Sequence, residues 1–213
     1  MTPFRAALYY APAVDDALAQ AAAAWFAAPG LLEIGAEARR YGFHATLKPP
    51  FRLRDGARWA DVLAATHDLA RGIAPFPLPR LDVAELHGFL ALRETEPSPA
   101  LQALADAAIA ELDHLRAAPT PAEIERRNPA QRPPAERRML ERWGYPYCFA
   151  TWFFHMTLTR RLDAAEQAHW RPLAAAHFAP SLGMPRQVEA VALFVEPRPG
   201  AAFSEVARIP LRG

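Results

Sequence analysis

Two histidines in this 213-residue chain sit inside the same short pattern, Phe43-His44-Ala45-Thr46-Leu47 and Phe154-His155-Met156-Thr157-Leu158. The copies lie about half a chain apart, and each is followed closely by a cation, Lys48 in one and Arg160 in the other. On an extended strand, residues two apart share a face. His44 and Thr46 then point one way while Phe43, Ala45 and Leu47 point the other, and His155 and Thr157 are set against Phe154, Met156 and Leu158 in the same manner. Two such strands side by side place two imidazoles and two hydroxyls around one small volume. Near neutrality one imidazole can act as a base while another acts as an acid. In-line displacement at phosphorus puts the attacking and leaving oxygens on opposite sides, so each histidine can serve one oxygen. The threonine hydroxyls can donate to the non-bridging oxygens, whose charge grows in the transition state. The scheme needs no metal, and no ligand spacing of His, Cys or carboxylates is visible. A lone His-x-Thr on an apolar strand is usually a packed histidine. Repetition in two strand contexts is what moves the pattern towards chemistry.

The elements that must position these residues follow from local pattern. Strands are expected over Phe4–Ala11, Tyr41–Leu47 (closed by Pro49-Pro50), Phe149–Thr159, Gln187–Glu196 and Phe203–Pro210, and a hairpin over Arg80–Leu86 and Phe89–Arg93 around His87-Gly88. Helices are expected over Val14–Ala28, Arg58–Ile73, Pro99–Arg116 and Ala164–His177. Pro75, Pro77 and Pro79 read as breaks. Residues 119–144 are Pro-broken and densely charged, and read as short helices in an excursion with a solvated charged face. The order is α+β, with two mainly antiparallel sheet-plus-helix halves.

Composition narrows the partners. Apolar residues make up 52% and charged residues 22% of the chain, enough for a core without staples. A net charge of +1 argues against long nucleic acid held by bulk electrostatics and leaves a small anionic substrate open. The single cysteine, Cys148, excludes an internal disulfide and fits a cytoplasmic setting. The first residues lack the pattern of a secretion signal, and no apolar run approaches the ~20 residues of a membrane helix.

Other side chains are placed by parity. Tyr41, three before His44, reaches the cleft through a bend at Gly42. Lys48, four after His44, keeps the cleft face while the strand persists, which makes it a phosphate contact. Arg160 needs a bulge or loop to join them. Of Tyr9 and Tyr10, which alternate on the first strand, Tyr9 is taken as the cleft residue. His87 reads as a turn residue, and His67, His114, His169 and His177 as helix-surface residues.

The run Arg40-Tyr41-Gly42-Phe43-His44-Ala45-Thr46-Leu47-Lys48-Pro49-Pro50-Phe51, with Arg5–Pro12 and Phe154–Arg160, resembles the two-histidine (2H) phosphoesterase superfamily. It is similar in particular to a branch of it associated with phosphonate metabolism. The signature of that superfamily is two His-hydrophobic-Thr/Ser-hydrophobic motifs, one per lobe, and the resemblance spans essentially the whole chain. It implies a single bilobal α+β domain over residues 1–213 with a central cleft. It also implies a phosphoric diester hydrolase without metal or cofactor, in which His44 and His155 are catalytic and Thr46 and Thr157 hold the phosphoryl oxygens. Relatives open cyclic nucleotides or trim RNA ends, and carbon–phosphorus bond cleavage yields a ribose cyclic phosphate. The substrate is therefore open between a small phosphorylated sugar or nucleotide and an RNA 2′,3′-cyclic or 3′-end phosphodiester. A non-catalytic phosphate-binding module is the third reading. Retention of both histidines speaks against it, because binding alone can use Arg or backbone amides.

Overall fold

The computed structural model describes residues 3–213. In chain order its elements are β1 (Arg5–Tyr10), α1 (Ala17–Ala27), α2 (Ala36–Tyr41), β2 (Ala45–Phe51), α3 (Trp59–Arg71), β3 (Phe76–Leu78), β4 (Leu81–Leu86), β5 (Phe89–Glu94), α4 (Pro99–Leu112), α5 (Pro121–Glu125), α6 (Pro134–Trp143), β6 (Met156–Arg161), α7 (Ala164–Leu182), β7 (Arg186–Val188), β8 (Ala190–Glu196) and β9 (Ser204–Pro210). Seven strands form one sheet in the order β4-β5-β6-β2-β1-β8-β9, antiparallel throughout, while β3 and β7 pair separately. Two halves are evident in this sheet, β4-β5-β6 and β2-β1-β8-β9. They meet at β2 and β6 through a single ladder pair, Ala45 with Met156.

Alternation along the strands builds two layers. Ala6, Leu8 and Tyr10 of β1, with Val191 and Leu193 of β8, enter one large core that also takes in α1, α3, α4 and α7. Ala7, Tyr9 and Ala11, with Ala192 and Phe194, form a smaller apolar layer on the opposite face. Each fully buried Leu in the large core contributes roughly 1.5–3 kcal/mol of transfer free energy. Helix starts are pinned by caps. Asp16 accepts from Leu18 N at 2.6 Å and also holds Arg186 of β7 at 3.0 Å. At α7, Asp163 and Glu166 form a reciprocal capping box immediately after β6.

The structure departs from sequence expectation at several points. Tyr41 is the last residue of a short helix, and the chain turns into β2 at Gly42, with φ 78° and ψ 166°. This region of backbone space is essentially reserved for glycine. β2 runs on through Pro49-Pro50 to Phe51. Two consecutive prolines face opposite edges of the strand: on one side the ladder to β6 ends at Ala45, and on the other the register against β1 slips between Lys48 and Phe51, so neither edge loses a regular bond. β6 starts only at Met156, and Phe149–Thr151 is a single helical turn instead of strand. α7 runs past His177 to Leu182 with Pro172 and Pro180 inside it. The strand expected over Gln187–Glu196 is split at Glu189, and its first part pairs with β3 in the proline-rich stretch.

A β-bulge in β2 matters most for the site. Thr46 pairs with Tyr9 and Lys48 with Leu8, so two steps of β2 oppose one step of β1. Parity breaks there: Leu47, Lys48 and Pro49 are all buried, and a second register shift follows before Phe51 pairs with Ala6.

Gly42→Ala tests the turn. A Cβ there would lie 3.0 Å from the Phe194 ring on a backbone that L-residues avoid. The expected loss is about 1–3 kcal/mol in a denaturant titration, and an unchanged midpoint would refute the constraint.

Candidate active site

A cavity of about 400 Å³ opens on the sheet face away from the large core, and His44, Thr46, His155 and Thr157 all line it. Each histidine sits one residue before its strand, His44 before β2 and His155 before β6. The antiparallel pair Ala45–Met156 is flanked by these residues. Carrying the register one step each way sets His44 across from Thr157 and Thr46 across from His155. Residues opposite one another on such strands lie roughly 4.5–5.5 Å apart at Cβ, so the four polar groups form a crosswise square on the cavity floor.

The two rings are held alike. His44 Nδ1 lies 2.8 Å from the Gly42 carbonyl, and His155 Nδ1 lies 3.3 Å from the Phe153 carbonyl. A carbonyl can only accept, so Nδ1 carries the proton in both neutral rings and Nε2 is left with its lone pair. For His44 that lone pair meets the Thr46 hydroxyl at 3.3 Å. The fully buried Tyr9 stacks on His44, with 3.7 Å between centroids and 24° between planes. Phe153, at 5.0 Å, and Phe89, at 6.1 Å, flank His155. The Trp152 indole donates to the Thr46 carbonyl at 2.9 Å and so ties the approach to β6 onto β2.

Burial sets the electrostatics. It pushes the pKa of His44 down to about 4, against a bond to Gly42 that raises it and with His155 lowering it slightly further. His155 is also lowered, first by burial, with the Phe153 carbonyl opposing and Arg93 and His87 adding to the fall. Both imidazoles are therefore neutral at pH 7 in the free protein.

Of the remaining residues expected at the site, Tyr9, Tyr41 and Arg160 line the cavity. Tyr41 reaches it through the turn at Gly42 and stacks on Phe203 at 5.2 Å. Arg160 is engaged by Glu166 through two bonds, of 3.0 and 2.9 Å, so its charge is already matched. Lys48 is not at the site. The bulge turns it under the sheet, where its Nζ donates to the Ile109 carbonyl of α4 at 3.0 Å and sits 3.7 Å from Asp113. Burial lowers its pKa to about 8, with Asp113 opposing. Even spacing from His44 is what misassigns it.

Sequence reasoning passed over Arg5, Arg127, Tyr145 and Thr159, which also line the cavity. Thr159 is occupied structurally, accepting from Leu90 N at 3.0 Å. Arg5 is paired with the fully buried Glu196, which also takes the Gly200 amide at 2.8 Å and Arg40 at 3.3 Å. Burial would raise the Glu196 pKa, but these donors outweigh it and the net shift is downward. Arg127 comes from the charged excursion, so part of that segment faces the cavity. Its guanidinium lies over the Tyr145 ring, 4.8 Å from the centroid. Among the described residues no three His, Cys, Asp or Glu side chains gather as a metal site, and no helix is long and apolar enough to cross a membrane.

Comparison with known proteins agrees with this architecture. Two curated relatives share the name ribose 1,5-bisphosphate phosphokinase PhnN. The one from Laribacter hongkongensis (strain HLHK9) is 46% identical over 168 residues, covering 79% of this chain and 38% of that protein. The one from Janthinobacterium sp. (strain Marseille) is 36% identical over 231 residues, covering 98% of this chain and 51% of that protein. The chain thus spans about half or less of the length of these relatives. Among solved structures, E. coli LigT complexed with 3′-AMP superposes with a TM-score of 0.52 at 16% identity, over 99% of both chains. That likeness establishes the two-histidine phosphoesterase fold expected from the paired motifs. A family model described as "Protein of unknown function (DUF1045)" matches residues 46–204, which take in Thr46, His155, Thr157 and Arg160. On that match the chain belongs to the DUF1045 family, built on the two-histidine phosphoesterase fold.

Proposed function

We propose that the chain is a cyclic phosphodiesterase that acts without a metal on a small phosphorylated sugar or nucleotide. The observation that carries this reading is the crosswise square of two imidazoles and two hydroxyls, with both rings in the same tautomer. One Nε2 takes a proton from water as its oxygen attacks phosphorus. The other imidazole, protonated on Nε2, gives its proton to the ring oxygen as that P–O bond breaks, leaving a phosphomonoester and a free hydroxyl. Each imidazolium is supported from behind, because Nδ1–H continues to donate to the Gly42 or Phe153 carbonyl. Thr46 and Thr157 donate to the non-bridging oxygens. Tyr41 and Tyr9 shape the wall and the ring support, and Arg160 and Glu166 present a neutral pair at the rim. Both halves of the sheet supply one histidine and one threonine, so we read residues 1–213 as one bilobal domain.

A sugar substrate is favoured over RNA by two considerations. The curated relatives are named for a ribose bisphosphate, and a net charge of +1 offers little for a long phosphate backbone. The association with phosphonate metabolism is part of the same proposal. Opening of a ribose cyclic phosphate without cleavage of any oligonucleotide end would separate the two; the reverse result would favour the RNA reading.

Turnover of cyclic phosphates in excess chelator is the direct test. His44→Ala and His155→Ala are each expected to lower kcat by about 10²–10⁴-fold, and undiminished activity in either would sink the mechanism. Thr157→Val is expected to cost about 10²–10³-fold in kcat, as loss of one preorganised donor does.

The pH profile tests the electrostatics. The active free enzyme carries one proton on the pair: two protons leave no base, none leaves no acid. With His44 near 4 and His155 below its ordinary 6.5, that form is populated on the acid side of neutrality and is lost as pH rises. The profile of kcat/KM is therefore expected to peak below pH 6.5 and fall about tenfold per pH unit above its upper pKa. A peak above neutrality would contradict burial as the dominant influence.

A further inference from the structure

Beside the main cavity lies a smaller hollow of about 50 Å³, and Arg5, Pro50 and Arg127 line both. The rest of its wall includes Arg52, Arg116 and Arg126, with Glu123 as its carboxylate. Three of these five arginines are matched. Arg52 binds Glu123 at 3.1 Å, Arg5 binds Glu196, and Arg116 binds Asp113 at 2.7 Å. Asp113 is itself shared with Lys48 and Arg142, so it has nothing to spare. Arg126 and Arg127 have no carboxylate within 4.0 Å among the described residues. Arg127 is half-buried, and withdrawing a cation from water without a counter-charge is costly. Its guanidinium lies over the Tyr145 ring, 4.8 Å from the centroid, and both residues line the main cavity.

Two uncompensated positive charges suit a phosphomonoester, which carries about −1.5 to −2 charges at pH 7. We propose that this hollow, with Arg127 at its junction with the main cavity, binds a second phosphate of the substrate. The substrate is then a cyclic phosphodiester that also carries a phosphomonoester. This rests on the reading of the main cavity as a phosphodiester site and adds to it what the excursion is for: residues 119–144 supply the specificity for that second group.

The test is a calorimetric titration with two probes that differ by one phosphate, ribose 1-phosphate and ribose 1,5-bisphosphate. Wild-type protein is expected to bind the bisphosphate about 10–100-fold more tightly, the range of a hydrogen-bonded charge pair. Arg127→Gln is expected to bring that ratio close to one, and Arg127→Lys, which keeps the charge and loses the fork, to leave it intermediate. A wild-type ratio of one, failure to bind either probe, or a full ratio in either variant overturns the proposal. The titration needs no turnover, so it stands apart from the mechanism. A full wild-type ratio that Arg127→Gln abolishes, in a protein that opens no cyclic phosphate, would uphold the second-phosphate site and remove the phosphodiesterase reading.

Discussion

The strands β2 and β6 touch at one ladder pair, and nearly every property of the cavity follows from that contact. Ala45 and Met156 are both fully buried, on the core side of the seam. Alternation then sends the residues on either side of them to the other face, which is where His44, Thr46, His155 and Thr157 stand. A small residue opposite a flexible one lets two strands from different halves approach closely without strain. Trp152, bonded to the Thr46 carbonyl, reinforces the seam just before β6 begins. The rest of the sheet, with longer ladders on either side, holds the two halves firmly enough for one shared pair to define the geometry.

Local pattern made much of this legible. The strand parity of the two motifs, the hairpin at His87-Gly88 and the doubly buried β8 are properties of short stretches. The misreadings arise where distant partners decide. Lys48 has the right spacing for the cleft, and only the bulge against Leu8 sends it under the sheet to Ile109. The six-residue α2 lies between Gly35 and Gly42, too short to show helical periodicity, yet it determines how Tyr41 enters the cavity. β3 hides in a proline-rich run because its stability comes from β7, about a hundred residues away. Arg127 was obscured by its surroundings: a segment dense in alternating charges has the composition of a solvated face, and nothing local marks the one cation that stacks on Tyr145.

The cavity also shows how a nearly neutral protein can concentrate charge. Arg5 and Arg160 stand at its wall, where Glu196 and Glu166 cancel them, while Arg161 lines it with no carboxylate within 4.0 Å among the described residues. Without such pairing, the cations would depress the two imidazoles further. What remains is a floor of neutral rings made less basic by burial, next to a flank where positive charge is left unmatched. An incoming phosphate reverses part of that balance, since a negative charge close to an imidazole favours its protonated form.

The matched tautomers of His44 and His155 have a consequence of their own. Each ring is oriented by a carbonyl two residues back, and each presents the same nitrogen to the cavity. A pair so alike has no intrinsic sense of direction. By microscopic reversibility, the ring that accepts a proton during opening must donate it during closure, and this architecture equips either ring for either part. Which way the chemistry runs would then be decided outside the rings, by the access of water and by the removal of the opened product.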